Sequence, residues 1–212
     1  MPRYVDDMTP PAEERGNFLT AMAIVGILGC LSFIVAVVVG DLVVPDHDFV
    51  ADTISDLGAG QYELIADVGI YSFSAALVAC ALGASHAHLG GDRWSWALGG
   101  LAFLALIVFL VGARNEYGDG DEEGVVIHVY LVYALGLLFA VVPWAMARGA
   151  GIVGRGWRIA FRWWAIVWAL AAPVFFLVPT AYDGLYERGL MLVAIGFTIT
   201  LSLLLVARAR SL

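Results

Sequence analysis

The sequence contains no lysine. All 11 of its basic residues are arginines, against 19 acidic residues, so the formal net charge is −8. Without lysine the chain cannot form a lysine Schiff base, which excludes a retinal photoreceptor. The acidic balance argues against nucleic acid as a partner, because a phosphate backbone is bound by clustered positive charge.

Cysteine and charge are also scarce. Cys30 and Cys80 each lie inside an apolar run and are expected at different membrane depths, so we expect no disulfide between them. Only 14% of the residues are charged, whereas 61% are hydrophobic, and the mean hydropathy is +0.87. This composition lies beyond the range of soluble globular proteins and indicates a membrane protein.

Six apolar segments each approach the roughly 20 residues that a helix needs to cross the hydrocarbon of a bilayer. They cover residues 18–40, 62–83, 95–112, 125–146, 163–181 and 189–207. The sequence therefore predicts an all-α fold, a polytopic membrane protein whose six-transmembrane-helix bundle spans residues 18–207 between tails at 1–17 and 208–212.

The arginines predict the orientation. Those on the same side as the two termini are Arg3, Arg15, Arg93, Arg148, Arg155, Arg158, Arg162, Arg208 and Arg210, and those on the other side are Arg114 and Arg188. Because basic residues are retained in the cytoplasm, we expect both termini to be cytoplasmic and the protein to be a multi-pass component of the cell membrane.

The connection after the first segment reads "HDFVADTISDLGAG", from His47 to Gly60. Its apolar and acidic residues recur at helical spacing on opposite faces, which predicts a short amphipathic helix in the outer interface. In one interpretation Asp46 or Asp48 caps this helix and Gly58 or Gly60 ends it.

In the other interpretation of the same segment, Ser55 and Asp56 turn inward, toward the mouth of the bundle.

The second segment carries a polar face, formed by Glu63, Asp67, Tyr71 and Ser74. Asp67 is the unusual member, because an acid at membrane depth is costly and normally faces a protein interior or a watery cavity with a partner. It is either a functional group or a structural hydrogen bonder. The possible partners at the same level are Arg114, Arg188 and His128.

His128 begins the fourth segment. A histidine there is either a hydrogen bonder between helices or, beside an acid, a general base or ligand. A four-histidine metal site is excluded, because His86 and His88 lie about 30 Å away across the hydrocarbon. One ion between His128 and two aspartates is geometrically possible, but we predict no metal site.

Several motifs resemble the prokaryotic six-helix family called domain of unknown function 998. They are "DTISDLGAG", "IADVGIYSFSAAL", the histidine that opens the fourth segment, and "GLYERG". The resemblance covers nearly the whole chain and implies functional positions at Ser55, Asp56, His128, Gly184, Glu187 and Arg188. The loop "RNEYGDGDEEG" departs from it, since it lacks the aromatic-proline signature expected there.

The Ile-Ser-Asp motif and the histidine are more distantly similar to eukaryotic Frag and autophagy-modulator (DRAM) type membrane proteins. Some relatives of those proteins take part in lipid-anchor remodelling.

Three functions remain open. The first is binding or modification of lipid headgroups at the outer face, with Arg114 and Arg188 holding a phosphate. The ligand-binding residues would be Asp67, Arg114, Glu187 and Arg188. In a reaction, His128 would be the base and Ser55 or a water the nucleophile, with Asp56 or Asp67 orienting the histidine.

The second function is a non-catalytic scaffold or accessory subunit that binds another membrane protein or a second copy of the chain. The third is a small-solute or proton transporter with Asp67 as relay. Membrane lipids are the expected partners in every case, and the sequence identifies no cofactor.

Overall fold

The computed structural model describes residues 13–58, 62–113 and 127–212, and this part of the chain is helical without strands. The helices are α1 (Gly16–Val43), α2 (Ile54–Leu57), α3 (Glu63–His86), α4 (Asp92–Ala113), α5 (Ile127–Val153), α6 (Arg155–Ala171) and α7 (Asp183–Ala209). Short 3-10 helices at Ala172–Leu177 and Thr180–Tyr182 join α6 to α7. Six helical segments are long and apolar enough to cross a membrane. The predicted all-α, six-helix membrane fold is therefore confirmed.

The six long helices form a closed ring in chain order. Each packs on the next, α1 on α3, α3 on α4, α4 on α5, α5 on α6 and α6 on α7, and α7 returns to α1. Phe139 of α5 fills the middle, with ring centroids 4.7 Å from Trp168, 6.4 Å from Phe73 and 6.3 Å from Phe197. These aromatic side chains from four helices form the core at mid-depth.

Small residues bring α1 and α3 close together. A Cβ atom on Gly29 would lie 2.3 Å from the carbonyl oxygen of Ser72, and one on Gly69 would lie 2.6 Å from the Cβ of Ala36. The hydroxyls of Ser32 and Ser72 bond across the same interface at 3.0 Å. Such close backbone approach is a common source of helix association in membranes.

At one end of the bundle, polar contacts join the start of α1 to the ends of α3 and α7. The first and last described residues of the chain lie at this end. Arg208 donates two hydrogen bonds of 2.7 Å to the Glu14 carboxylate. The backbone N–H of Arg15 donates to Nε2 of His86 at 2.7 Å. These contacts fix the start of α1 to the ends of α3 and α7. We call the opposite end of the bundle the outer end; its orientation in the membrane stays a prediction.

The fifth crossing segment differs most from its predicted bounds. We predicted its start at residue 163, but α6 begins at Arg155, directly after Gly154, and includes the amphipathic residues 155–162. The helix changes to a 3-10 turn at Ala172, where Pro173 lacks the N–H that an α-helix needs. Pro143, in contrast, lies inside α5 without ending it.

Candidate functional site

A buried ion pair lies at the outer end, between the last turns of α1 and the first turns of α7. Arg188 donates from Nε to Oδ2 of Asp41 at 3.2 Å and from Nη2 to Oδ1 of the same carboxylate. The side chains are only 6% and 10% exposed. The third guanidinium nitrogen, Nη1, donates to the carbonyl oxygen of Asp52 at 2.9 Å. The guanidinium is thus bonded on three sides.

His47 completes this group, which we call the Arg188 cluster (Asp41, His47, Asp52 and Arg188). The histidine side chain is 3% exposed, and its Nε2 lies 3.1 Å from Oδ1 of Asp41 and 3.0 Å from Nη2 of Arg188. Phe49 covers the guanidinium, with Cζ 4.7 Å from the ring centroid. The cluster fixes the outer loop to the bundle.

Two backbone features let the loop reach α7. Asp46 has φ of 57°, the left-handed conformation that aspartate tolerates better than most residues. A Cβ on Gly184 would lie 2.0 Å from the carbonyl oxygen of Asp52. The N–H groups of Gly184 and Leu185 donate to the carbonyl oxygens of Ala51 and Val50. Glycine at 184 is therefore required by this contact.

The predicted amphipathic helix is shorter than expected and has a different cap. Thr53, rather than Asp46 or Asp48, is the N-cap of α2, and it forms a capping box with Asp56. The Asp56 carboxylate accepts from the N–H of Thr53 at 2.6 Å and from its hydroxyl at 2.7 Å. Asp48 instead closes the preceding turn by accepting from the N–H of Val50 at 2.9 Å. The bond to Asp48 stabilises the turn over residues 49–51.

Other free backbone groups of α2 also have hydrogen-bond partners. Gly58 is the C-cap, as one of the two predicted terminators. Glu187 of α7 accepts from the backbone N–H of Ile54 at 2.6 Å, and Ser55 is a second backbone donor to it. Ile54 and Leu57 are buried against the bundle. Asp56 and Glu187 thus bind backbone groups of the loop.

Asp67 and His128 have a different environment. Oδ1 of Asp67 and Nδ1 of His128 are both buried, and neither has a hydrogen-bond partner among the residues that the structure describes. Most buried polar atoms in native proteins are paired, so each exception requires an explanation.

These two residues lie at similar depth on the helices that flank α4. Gly100 of α4 lies against Leu138 and Val142 of α5, and Gly112 lies against Ile70 and Tyr71 of α3. The 12 residues from Gly100 to Gly112 rise about 18 Å. Because α5 runs antiparallel to α4, the same 12 residues counted from between Leu138 and Val142 toward the start of α5 lead to His128. His128 is therefore level with Tyr71. Asp67 lies one turn further out on α3.

The sequence profile of the family described as "Protein of unknown function (DUF998)" matches residues 27–204. The chain belongs to this family. The match confirms the predicted family and includes the Arg188 cluster, Asp67 and His128. Neither the curated proteins nor the solved structures give a match to this DUF998 protein. The more distant likeness to Frag and DRAM-type proteins stays a prediction.

Arg188 was one of three possible partners of Asp67 in this DUF998 protein, with Arg114 and His128. In the structure the guanidinium of Arg188 pairs with Asp41 instead. Within the described ranges, no hydrogen bond joins Ser55, Asp56 and His128, and Asp56 serves the cap of α2. Arg114 lies outside the described residues.

Sequence reasoning missed Asp41 and His47 as the neighbours of Arg188. A signal was present, because Asp41 interrupts the apolar run "VVVGDLVV" in the same way that Asp67 interrupts the second segment. The pairing itself joins residues 147 positions apart.

Proposed function

We propose that this DUF998 protein binds the headgroup of a membrane lipid at the outer end of its helix bundle. The observation that carries this proposal is the pair of buried, unpaired polar atoms, Oδ1 of Asp67 and Nδ1 of His128. Leaving a buried polar atom without a partner costs about 1–3 kcal/mol. A ligand that supplies the missing partners would recover this free energy on binding.

The surroundings of the two residues favour a lipid as that ligand. Every long helix exposes large apolar side chains, among them Leu28, Leu82, Phe103, Leu137, Leu170 and Leu192. Asp67 lies in the second turn of α3 and His128 in the first turn of α5. Near the ends of membrane-crossing helices, a headgroup can meet these side chains while its acyl chains stay in the hydrocarbon.

The proposal is binding without a chemical reaction. Arg188, which we had expected to hold a phosphate, donates to Asp41 and to the Asp52 carbonyl. Asp56 is bonded to Thr53. These groups stabilise the outer loop and are not assigned to the ligand.

Native mass spectrometry of the protein extracted with its own lipids tests the proposal. We expect the wild type to retain lipid and His128→Leu to retain at least tenfold less. His88→Asn is the control, since His88 is an exposed histidine at the opposite end of the bundle and asparagine tolerates its φ of 42°. Equal retention by His128→Leu and the wild type, or a wild type without lipid, would contradict the proposal.

The variants should remain folded. Removing an unpaired buried polar atom does not remove a hydrogen bond, so thermal unfolding of lipid-free His128→Leu should occur no lower than that of the wild type. A loss of both stability and lipid would indicate a packing role for the histidine instead.

A further inference from the structure

We infer that the headgroup bound at Asp67 is recognised through an ammonium group that donates hydrogen bonds, as in an aminophospholipid, and not through its phosphate. This inference rests on the proposed function and specifies the chemical class of its ligand.

The charges at the outer end favour a ligand with a positive charge. The described carboxylates there are those of Asp41, Asp46, Asp48, Asp52, Asp56, Glu63, Asp67, Asp183 and Glu187. Arg188 is the one arginine among the described residues of this end. A phosphate would meet an excess of negative charge here, whereas an ammonium would be attracted.

The only described cation that could serve a phosphate at this end is already occupied. The guanidinium of Arg188 donates to both carboxylate oxygens of Asp41 and to the carbonyl oxygen of Asp52, and Phe49 covers its face. Moving it toward a phosphate would leave the Asp41 side chain buried without its partner.

The neighbouring carboxylates already accept hydrogen bonds from the loop. Asp56 accepts from Thr53, Glu187 from the N–H of Ile54, and Asp52 from the N–H of Asp48. Among the described carboxylates, Asp67 is the one with a buried oxygen that lacks a partner. This free acceptor is therefore the group to which a ligand at this end can bind.

When Asp67 is ionised, the missing partner of its Oδ1 must be a donor. An ionised carboxylate only accepts hydrogen bonds, and an ammonium carries three N–H donors and a positive charge. A charge-assisted bond of this kind is about twice as strong as one between neutral groups. One of these N–H groups can bind Oδ1 of Asp67.

Thermal unfolding of the delipidated full-length protein in detergent separates the possible headgroups. The added lipids are phosphatidylethanolamine, phosphatidylcholine, which keeps the cation but has no N–H donors, and phosphatidylglycerol, which has hydroxyl donors but no cation. We expect phosphatidylethanolamine to raise the wild-type Tm by several degrees and to bind at least tenfold more tightly than the other two. This comparison needs no variant.

Asp67→Asn should lose at least tenfold in affinity for phosphatidylethanolamine, because the charge is removed while the shape is kept. Asp92→Asn is the control, an exposed acid at the opposite end of the bundle. It should retain the affinity of the wild type. If Asp67→Asn does not fold, Asp67→Glu is the second variant. It keeps the negative charge and should keep part of the wild-type affinity.

The possible failures can be told apart. The largest shift with phosphatidylglycerol, lost in His128→Leu, would overturn the ammonium inference and leave lipid binding intact. Equal shifts with phosphatidylethanolamine and phosphatidylcholine would show that N–H donation is not used, and would also overturn it. No shift with any lipid, together with no lipid in native mass spectrometry, would overturn both the inference and the proposed function.

Discussion

Replacing Arg188 by leucine should destabilise the protein strongly. The Asp41 and His47 side chains are only 10% and 3% exposed, so the variant would leave a buried carboxylate without its cation. Removing one partner of a buried ion pair costs about 3–5 kcal/mol. At about 2–4 °C per kcal/mol for a protein of this size, Tm should fall by about 10 °C.

A double-mutant cycle identifies the partner. Arg188→Leu combined with Asp41→Asn should recover much of the loss, with a coupling free energy of about 0.5–3 kcal/mol, because neither charge is then left alone. Arg188→Leu combined with Asp67→Asn is the matched comparison, and its effects should add within about 0.5 kcal/mol. The assay is thermal unfolding in detergent of the wild type, the three single variants and the two double variants. Additive losses with Asp41, or strong coupling with Asp67, would refute the assignment of the ion pair.

Two further predictions concern packing and orientation. Gly29→Ala should lower the free energy of unfolding by about 1–3 kcal/mol, because its Cβ would meet the Ser72 carbonyl oxygen, whereas Gly136→Ala, where no atom lies within 4 Å of the new Cβ, should raise it by up to about 1 kcal/mol. Thermal unfolding should give shifts of opposite sign, and equal shifts would contradict the close approach of α1 and α3. A cysteine at Asp119, which lies outside the described residues, should react with an impermeant label in intact cells, since the arginine count predicts that this loop lies outside. Labelling only after lysis would reverse the topology.

The membrane fold was predictable because the thickness of the hydrocarbon sets the length of an apolar run. The ends of the helices were less predictable. For example, α1 covers residues 16–43, whereas the predicted apolar segment covers 18–40. Backbone hydrogen bonds continue past the point where the side chains become polar, so a hydropathy pattern gives shorter segments than the helices themselves. For the same reason the pattern missed the first two turns of α6.

The pairing of Arg188 could not be predicted from depth alone. Asp41 and Asp67 both lie near the outer end, and the sequence does not specify how each helix is rotated in the ring. His47, which is buried in the cluster, directly follows Asp46, whose left-handed conformation a hydropathy pattern does not reveal. The cap of α2, in contrast, had a visible signal, because Thr53 and Asp56 have the spacing of a capping box.

The most direct test of a lipid site at Asp67 and His128 is an experimental structure of the protein in nanodiscs that contain its native lipids. We expect non-protein density within hydrogen-bond distance of Oδ1 of Asp67 and Nδ1 of His128, continuous with an acyl chain. Pairing of both atoms with protein side chains in that structure, without density between them, would contradict it.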